Sequence, residues 1–236
     1  MATTTTTTDP AALLKAILTT TEQRIIPLTR EGVTSGSKLF GAAILHRSDL
    51  TPHTVATNNE RLSPLLHGEI NCIQQFFLNS QPAAAELEET ETKAAAPRPS
   101  PRDCIFFATH EPCSLCLSGI TWAGFNEFYY LFTYEDSRDL FAIPYDIDIL
   151  QEVFRVPAAS GVEESREALE RRELYNRKNK FFTGRSLVEL VEEVEGEEER
   201  ERLKEEIERV KKEYNALSAT YQEGKEKGVQ TASMWK

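Results

Sequence analysis

The stretch Leu66-His67-Gly68-Glu69-Ile70-Asn71-Cys72-Ile73 decides how this chain is read, together with Glu111-Pro112-Cys113-Ser114-Leu115-Cys116 further along. His67, Cys113 and Cys116 can each bind a zinc ion, and Glu69 is a carboxylate that is poorly suited to be a fourth ligand. Structural zinc sites take four protein ligands, whereas catalytic sites take three and keep one position open. A Cys-x-x-Cys pair alone is a weak signal. One His, a spare Glu and a proline-led Cys-x-x-Cys form a far more specific set, and it fits the open arrangement.

Hydrophobic spacing places this set on helices. Leu66, Ile70, Ile73, Phe76 and Phe77 share one face of a helix over Pro64–Phe77, with His67 and Glu69 in its first turn. Pro112 stands where a helix can begin without the missing N–H, so Cys113–Ala123 reads as a second helix. Helix N-termini expose N–H groups and favour thiolate over thiol, which suits Cys113 and Cys116. Two such N-termini would then converge on one metal.

Working outward, Ala11–Thr29 carries apolar residues at helical spacing and reads as a helix ending near Pro27. Lys38–His46 is a buried strand, Thr54–Thr57 a second, and Asp49–His53 the hairpin loop between them. Cys104–Thr109 and Glu127–Thr133 are further strands, and Asp146–Phe154 is a short helix. This alternation predicts an α/β fold: a three-layer α/β/α sandwich around a mixed central sheet of about five strands.

The organisation has three parts. Residues 1–10 form a threonine-rich tail without the basic and apolar regions of a secretory signal, and read as disordered. Residues 11–157 form the metal-site domain, interrupted at 80–102 by a low-complexity insertion rich in Ala, Glu and Pro. Residues 158–236 read as a charged, mainly helical extension. There Leu203, Ile207, Val210, Tyr214 and Leu217 trace a narrow apolar seam. It suits a helix packed on its own domain or solvated, with a partner helix as the alternative.

A net charge of −11 bears on partners. A phosphate backbone needs clustered Lys and Arg, and none lies near the motif, so a small uncharged substrate is expected and nucleic acid is not. No apolar run approaches the length that spans a bilayer. Two of the four cysteines sit at metal-ligand spacing and no export signal is evident. A reducing, cytoplasmic compartment follows, with the nucleus left open, and Cys72 and Cys104 read as buried thiols.

The order His-x-Glu…Pro-Cys-x-x-Cys is a signature of zinc deaminases. The chain resembles the cytidine deaminase-like superfamily, in particular the branch holding cytosine, guanine and tRNA adenosine deaminases. Leu39-Phe40-Gly41-Ala42-Ala43-Ile44 resembles that branch's first strand. His67-Gly68-Glu69-Ile70 is similar to the cytosine deaminase motif, and the segment from Glu111 to Ala123 is closer to guanine deaminase. The resemblance covers about Leu39 to Phe154.

It implies a zinc-dependent hydrolytic deaminase that removes an exocyclic amine from a small heterocycle, a free base or nucleoside, and releases ammonia. Zinc lowers the pKa of bound water from about 15.7 to roughly 7, and Glu69 would carry the proton to the ring nitrogen and the departing amine. The resemblance assigns ring binding to Asn58, although a short spacing to His67 leaves Asn59 as an alternative. It also implies that the backbone N–H groups of Glu69 and Cys113 orient substrate, and it places Phe40 in the pocket wall. Phe132 and Tyr134 could stack on a ring, and Glu135, Asp136 or Asp139 could accept its N–H groups; ordinary loop and capping roles compete with these. His110 either lines the pocket or packs beneath it. Tyr175–Gly184 either closes over the pocket or forms a surface turn. Relatives suggest a homodimer. Two other readings stay open: a nucleic-acid deaminase, which needs a basic groove, and a zinc-binding but non-catalytic partner subunit, against which Glu69 speaks.

Overall fold

The run Cys-Ile-Phe-Phe-Ala-Thr-His at 104–110 is apolar on both faces until its end, the pattern of a strand covered from both sides, and all seven residues are buried. In a computed structural model, which describes residues 8–79, 98–156, 159 and 164–233, it is the middle of five strands. These are β1 (Gly41–His46), β2 (Pro52–Thr57), β3 (Cys104–His110), β4 (Glu127–Phe132) and β5 (Thr183–Ser186). Their order is β2-β1-β3-β4-β5. β1 is antiparallel to both β2 and β3, whereas β3–β4 and β4–β5 are parallel, so the sheet is mixed as expected.

The helices are α1 (Pro10–Thr20), α2 (Ile26–Thr34), α3 (Gly68–Leu78), α4 (Ser114–Ala123), α5 (Tyr134–Phe141), α6 (Tyr145–Ile149), α7 (Arg166–Glu170), α8 (Leu187–Val191) and α9 (Glu197–Glu226). Successive strand residues point to opposite faces, and the two cores divide accordingly. Ala42, Ile44, Phe106 and Phe128 meet Cys72, Phe76 and Ile120 of α3 and α4. Ala43, Leu45, Phe107 and Tyr129 meet residues of α1, α2 and α9 on the other side. The sandwich is therefore three-layered.

Three expectations change. The first helix does not stop near Pro27: a π turn over Thr21–Ile25 carries the chain into α2, where Pro27 stands in the opening turn and its missing N–H is tolerated. The helix expected from Pro64 begins at Gly68, because the chain from Asn59 to Leu66 is taken up in turns. Residues beyond 158 are not an appended extension. They supply β5 to the sheet, and the seam of α9 is buried on the domain itself. β5 escaped notice because Thr-Gly-Arg-Ser has no apolar alternation. Its Gly184 is required by packing, since a Cβ there would run into the Phe128 ring. Most of the threonine tail (1–7) and of the insertion (80–97) lies outside the described residues.

Candidate metal and active site

Both halves of the motif sit at helix N-termini. His67 is the N-cap of α3 and Cys113 the N-cap of α4, each in extended backbone. Gly68 lets α3 lie close on the head of β1, because an added Cβ would come 2.8 Å from the Gly41 Cα and 2.9 Å from the Phe40 carbonyl oxygen. The Gly68 N–H donates to Asn58 Oδ1 at 2.5 Å, which ties the helix start to the end of β2. On the other side, the buried Tyr134 hydroxyl donates to the Pro112 carbonyl at 2.5 Å and steadies the turn before Cys113.

The result is a cluster. His67 Nδ1 lies 3.4 Å from Cys113 Sγ and 3.7 Å from Cys116 Sγ, and the three ligand atoms all fall within 4.8 Å of one another. Tetrahedral zinc, bonded at about 2.3 Å to sulfur and about 2.0 Å to nitrogen, would separate such atoms by about 3.6 Å. The donor set fits zinc.

Electrostatics point the same way. The Cys116 sulfur first, and then His67 acting against burial, hold Cys113 well below the usual thiol range. Burial opposes a charged His67, but the Cys113 sulfur outweighs it and raises the imidazole to about 9. Burial keeps Cys116 protonated. The lowered Cys113 suits a metal ligand, which binds in its deprotonated form.

Glu69 lies against the cluster, its carboxyl reaching the Cys116 sulfur, without being one of the three ligands. It is 4% exposed, and its Oε2 has no hydrogen-bond partner among the described residues. Burial first, then the Cys113 sulfur, push its carboxyl up to about 7. A buried polar atom without a partner calls for an explanation, and a proton-carrying role supplies one.

A cavity of about 350 Å³ opens over His67 and Cys113. Its wall is mainly apolar, with Phe40, Tyr145 and Ile149, and its polar groups include Lys38, Asp146 and Ser233. An apolar cavity with a few convergent polar groups is the usual form of a small-molecule site. Burial, followed by the Cys113 sulfur, raises Asp146 to about 8.

Of the residues expected to touch substrate, Phe40 lines this cavity and the others do not. The Asn58 amide is committed at both ends, to the Gly68 N–H and to Glu60 Oε2 at 3.2 Å. Asn59 lies with Asn58 on a separate surface cleft. His110 is buried beneath Phe40, packed also against Phe132, Phe141 and Tyr214, and burial holds its pKa far down. Phe132 belongs to the core on the α9 side. Asp136 closes a capping box with Thr133 at the start of α5 and pairs with Lys211 at 3.1 Å. Glu135 lines a different, arginine-rich cavity, and Asp139 is exposed beside Arg138. Tyr175 donates to Glu111 Oε1 at 2.8 Å, so its segment buttresses the turn before Cys113 and leads into β5. Lys38, Asp146 and Ser233 were missed. No motif marks them, and they converge only through the fold.

Two helix N-termini that flank β3 in the chain thus meet at a His–Cys–Cys cluster within an α/β domain. Residues 20–132 match the family model described as the cytidine and deoxycytidylate deaminase zinc-binding region. That match spans a little under half of the chain and includes all of β1 to β4 and both helix starts. Similar solved structures include guanine deaminase from Nitrosomonas europaea, at 16% identity over 78% of this chain and 80% of that one, with a TM-score of 0.37. Guanine deaminase from Bacillus subtilis is 24% identical over 66% and 93% of the two chains, with a TM-score of 0.39. A tRNA:A34 deaminase is 18% identical over 49% and 72%, with a TM-score of 0.35. None of these likenesses speaks to the substrate of this chain. No curated protein matches it by sequence. Among the described residues no helix is long and apolar enough to cross a membrane.

Proposed function

We propose that this protein is a zinc-dependent hydrolytic deaminase that removes the exocyclic amine of a small heterocycle and releases ammonia. The observation that carries the reading is Glu69, buried, protonatable near neutral pH and with one oxygen unpartnered among the described residues, beside three zinc-type ligands of which His67 and Cys113 line an apolar cavity. His67, Cys113 and Cys116 would hold the ion. In a three-ligand site zinc lowers the pKa of the water it binds to roughly 7. Glu69 would take up a proton and deliver it, first to the ring nitrogen and then to the departing amine; a carboxyl near 7 can serve in both directions. Phe40 would cover one side of the ring, and Asp146 would accept an N–H from its edge.

A cavity of about 350 Å³ suits a single base or nucleoside, and a net charge of −11 works against a polynucleotide. Trp122 is 91% exposed on α4, and Leu62 and Leu65 are exposed near the cavity. Apolar surface of this kind supports a homodimer, and the reducing chemistry the site needs supports a cytoplasmic setting.

Two measurements test the reading. Metal analysis of purified protein should give about one zinc per chain, as one three-ligand site requires. An ammonia-release screen over cytosine, guanine, adenine, their nucleosides and related aminopyrimidines should return at least one substrate. Zinc-loaded protein inactive on all of them, or metal-free protein that stays fully active, would overturn it.

A further inference from the structure

In this chain the Asn58 amide bonds Gly68 and Glu60 and does not line the cavity, so other side chains supply its hydrogen-bond donors. Lys38 stands two positions before Phe40 and three before the start of β1, is 6% exposed, and lines the cavity. Its ammonium donates to Glu60 Oε1 at 2.6 Å and to Ser233 Oγ at 2.8 Å. Its backbone N–H donates to Glu60 Oε2 at 2.7 Å. Glu60 accepts three hydrogen bonds: Oε1 takes the ammonium, and Oε2 takes the Lys38 backbone and Asn58. Glu60 is not itself among the residues that line the cavity. The ammonium has three N–H donors, and two are engaged among the described residues.

A buried ion pair is a poor stabilising device compared with apolar packing of the same volume. Here the pair also draws in the chain terminus, since the Ala232 N–H donates to the Glu60 carbonyl at 2.8 Å and Ser233 reaches Lys38 itself. So many groups arranged to hold one cation at a cavity wall suggest that the cation is meant for what enters. Asp146, which also lines the cavity, offers an acceptor. Besides the His67 and Cys113 ligands and a few hydroxyls, the cavity lining carries one ammonium and one carboxyl.

We propose that Lys38 is a specificity-determining residue: its ammonium donates to an oxo group on the ring, so the substrates are oxo-bearing amino-heterocycles and not bases that present only amines and ring nitrogens. The proposal rests on the deaminase reading above. An oxo group would satisfy the donor. An amine in the same place would set donor against donor, and sites built to pair a buried polar group reject ligands that leave it unpaired.

The test reads binding without turnover, by calorimetry on zinc-loaded Glu69→Ala protein. Guanine is compared with 2,6-diaminopurine, and cytosine with 4-aminopyrimidine. The oxo member of at least one pair should bind at least about tenfold more tightly. In the Lys38→Met/Glu60→Gln background, which removes both charges together and so leaves neither buried alone, that ratio should fall to within about twofold while zinc content stays the same. A lysine with a merely structural role would weaken both members of a pair equally. Should the double variant fail to fold, Lys38→Arg keeps the charge and the Glu60 pair but moves the donors, and the ratio must still change.

A ratio near one in the parent protein, no binding of either pair, or a ratio unmoved by the variants would overturn the proposal. Ammonia release by the wild-type protein separates the two readings. Oxo preference through Lys38 without ammonia would sink the deaminase and spare Lys38. Ammonia release with an unmoved ratio would sink Lys38 alone.

Discussion

Glu60 and Glu69 lie on the same stretch of chain between β2 and the body of α3, and both are nearly sealed from solvent, at 1% and 4% exposed. Burial alone would raise both carboxyls. At Glu60 the Lys38 ammonium and its hydrogen bonds outweigh burial, and the pKa is lowered. At Glu69 burial wins, one oxygen is left without a partner among the described residues, and the carboxyl rises to about 7. Depth therefore does not mark a working carboxylate. Unspent hydrogen-bonding capacity does, since it leaves the group free to change its proton.

The largest effect that would sharpen this contrast is on turnover. Glu69→Ala should lower kcat by about 10²- to 10⁴-fold, the usual worth of a positioned acid–base group, with zinc content unchanged by metal analysis. Loss of zinc together with activity would make Glu69 a ligand and break the comparison. Glu60→Ala acts instead on stability. It strands the Lys38 charge, and removing one partner of a buried pair costs about 3–5 kcal/mol, which urea unfolding would register.

The pH dependence of stability should run in opposite directions at the two sites in chelator-treated protein. Native Glu69 keeps its proton up to about 7, against an ordinary value of 4.5, so its contribution makes stability fall as pH rises through that window. Glu60 is lowered from 4.5, so its contribution is present above that pH and is lost as pH falls below it. Urea midpoints across pH should show the first limb flattened in Glu69→Gln and the second in Glu60→Gln. Unchanged limbs in both variants would void the assignment. The smallest effect lies outside the pair. Asp136→Ala removes a helix cap and should cost about 1 kcal/mol, with KM unmoved; a large KM change would restore Asp136 to the pocket.

Much of this architecture could be read without coordinates. Strands β1, β3 and β4 are dense apolar runs, β2 is marked by its place after a hairpin loop, and the helix carrying Cys113 shows its start in Pro112. The elements that escaped lack such local marks. β5 is polar and glycine-bearing, and is a strand only because β4 is there to pair with it. Phe132 faces the α9 side, and Asp136 closes the cap of α5. Proximity in sequence to a pocket-forming strand end was not proximity to the pocket.

His67, Glu69, Cys113 and Cys116 were determined by the sequence alone, because ligand chemistry and helix starts are local properties that survive without knowledge of the fold. The company each carboxylate keeps was decided only by tertiary structure. Lys38 and Ser233 stand 195 positions apart, yet meet at one ammonium, and Asn58 turns to Gly68 because α3 docks there. Hydrogen bonds between distant segments follow from packing, and no short pattern encodes them. The His67–Cys113–Cys116 cluster was therefore legible as a motif, while the groups that line the cavity beside it became visible only once the chain had closed around it.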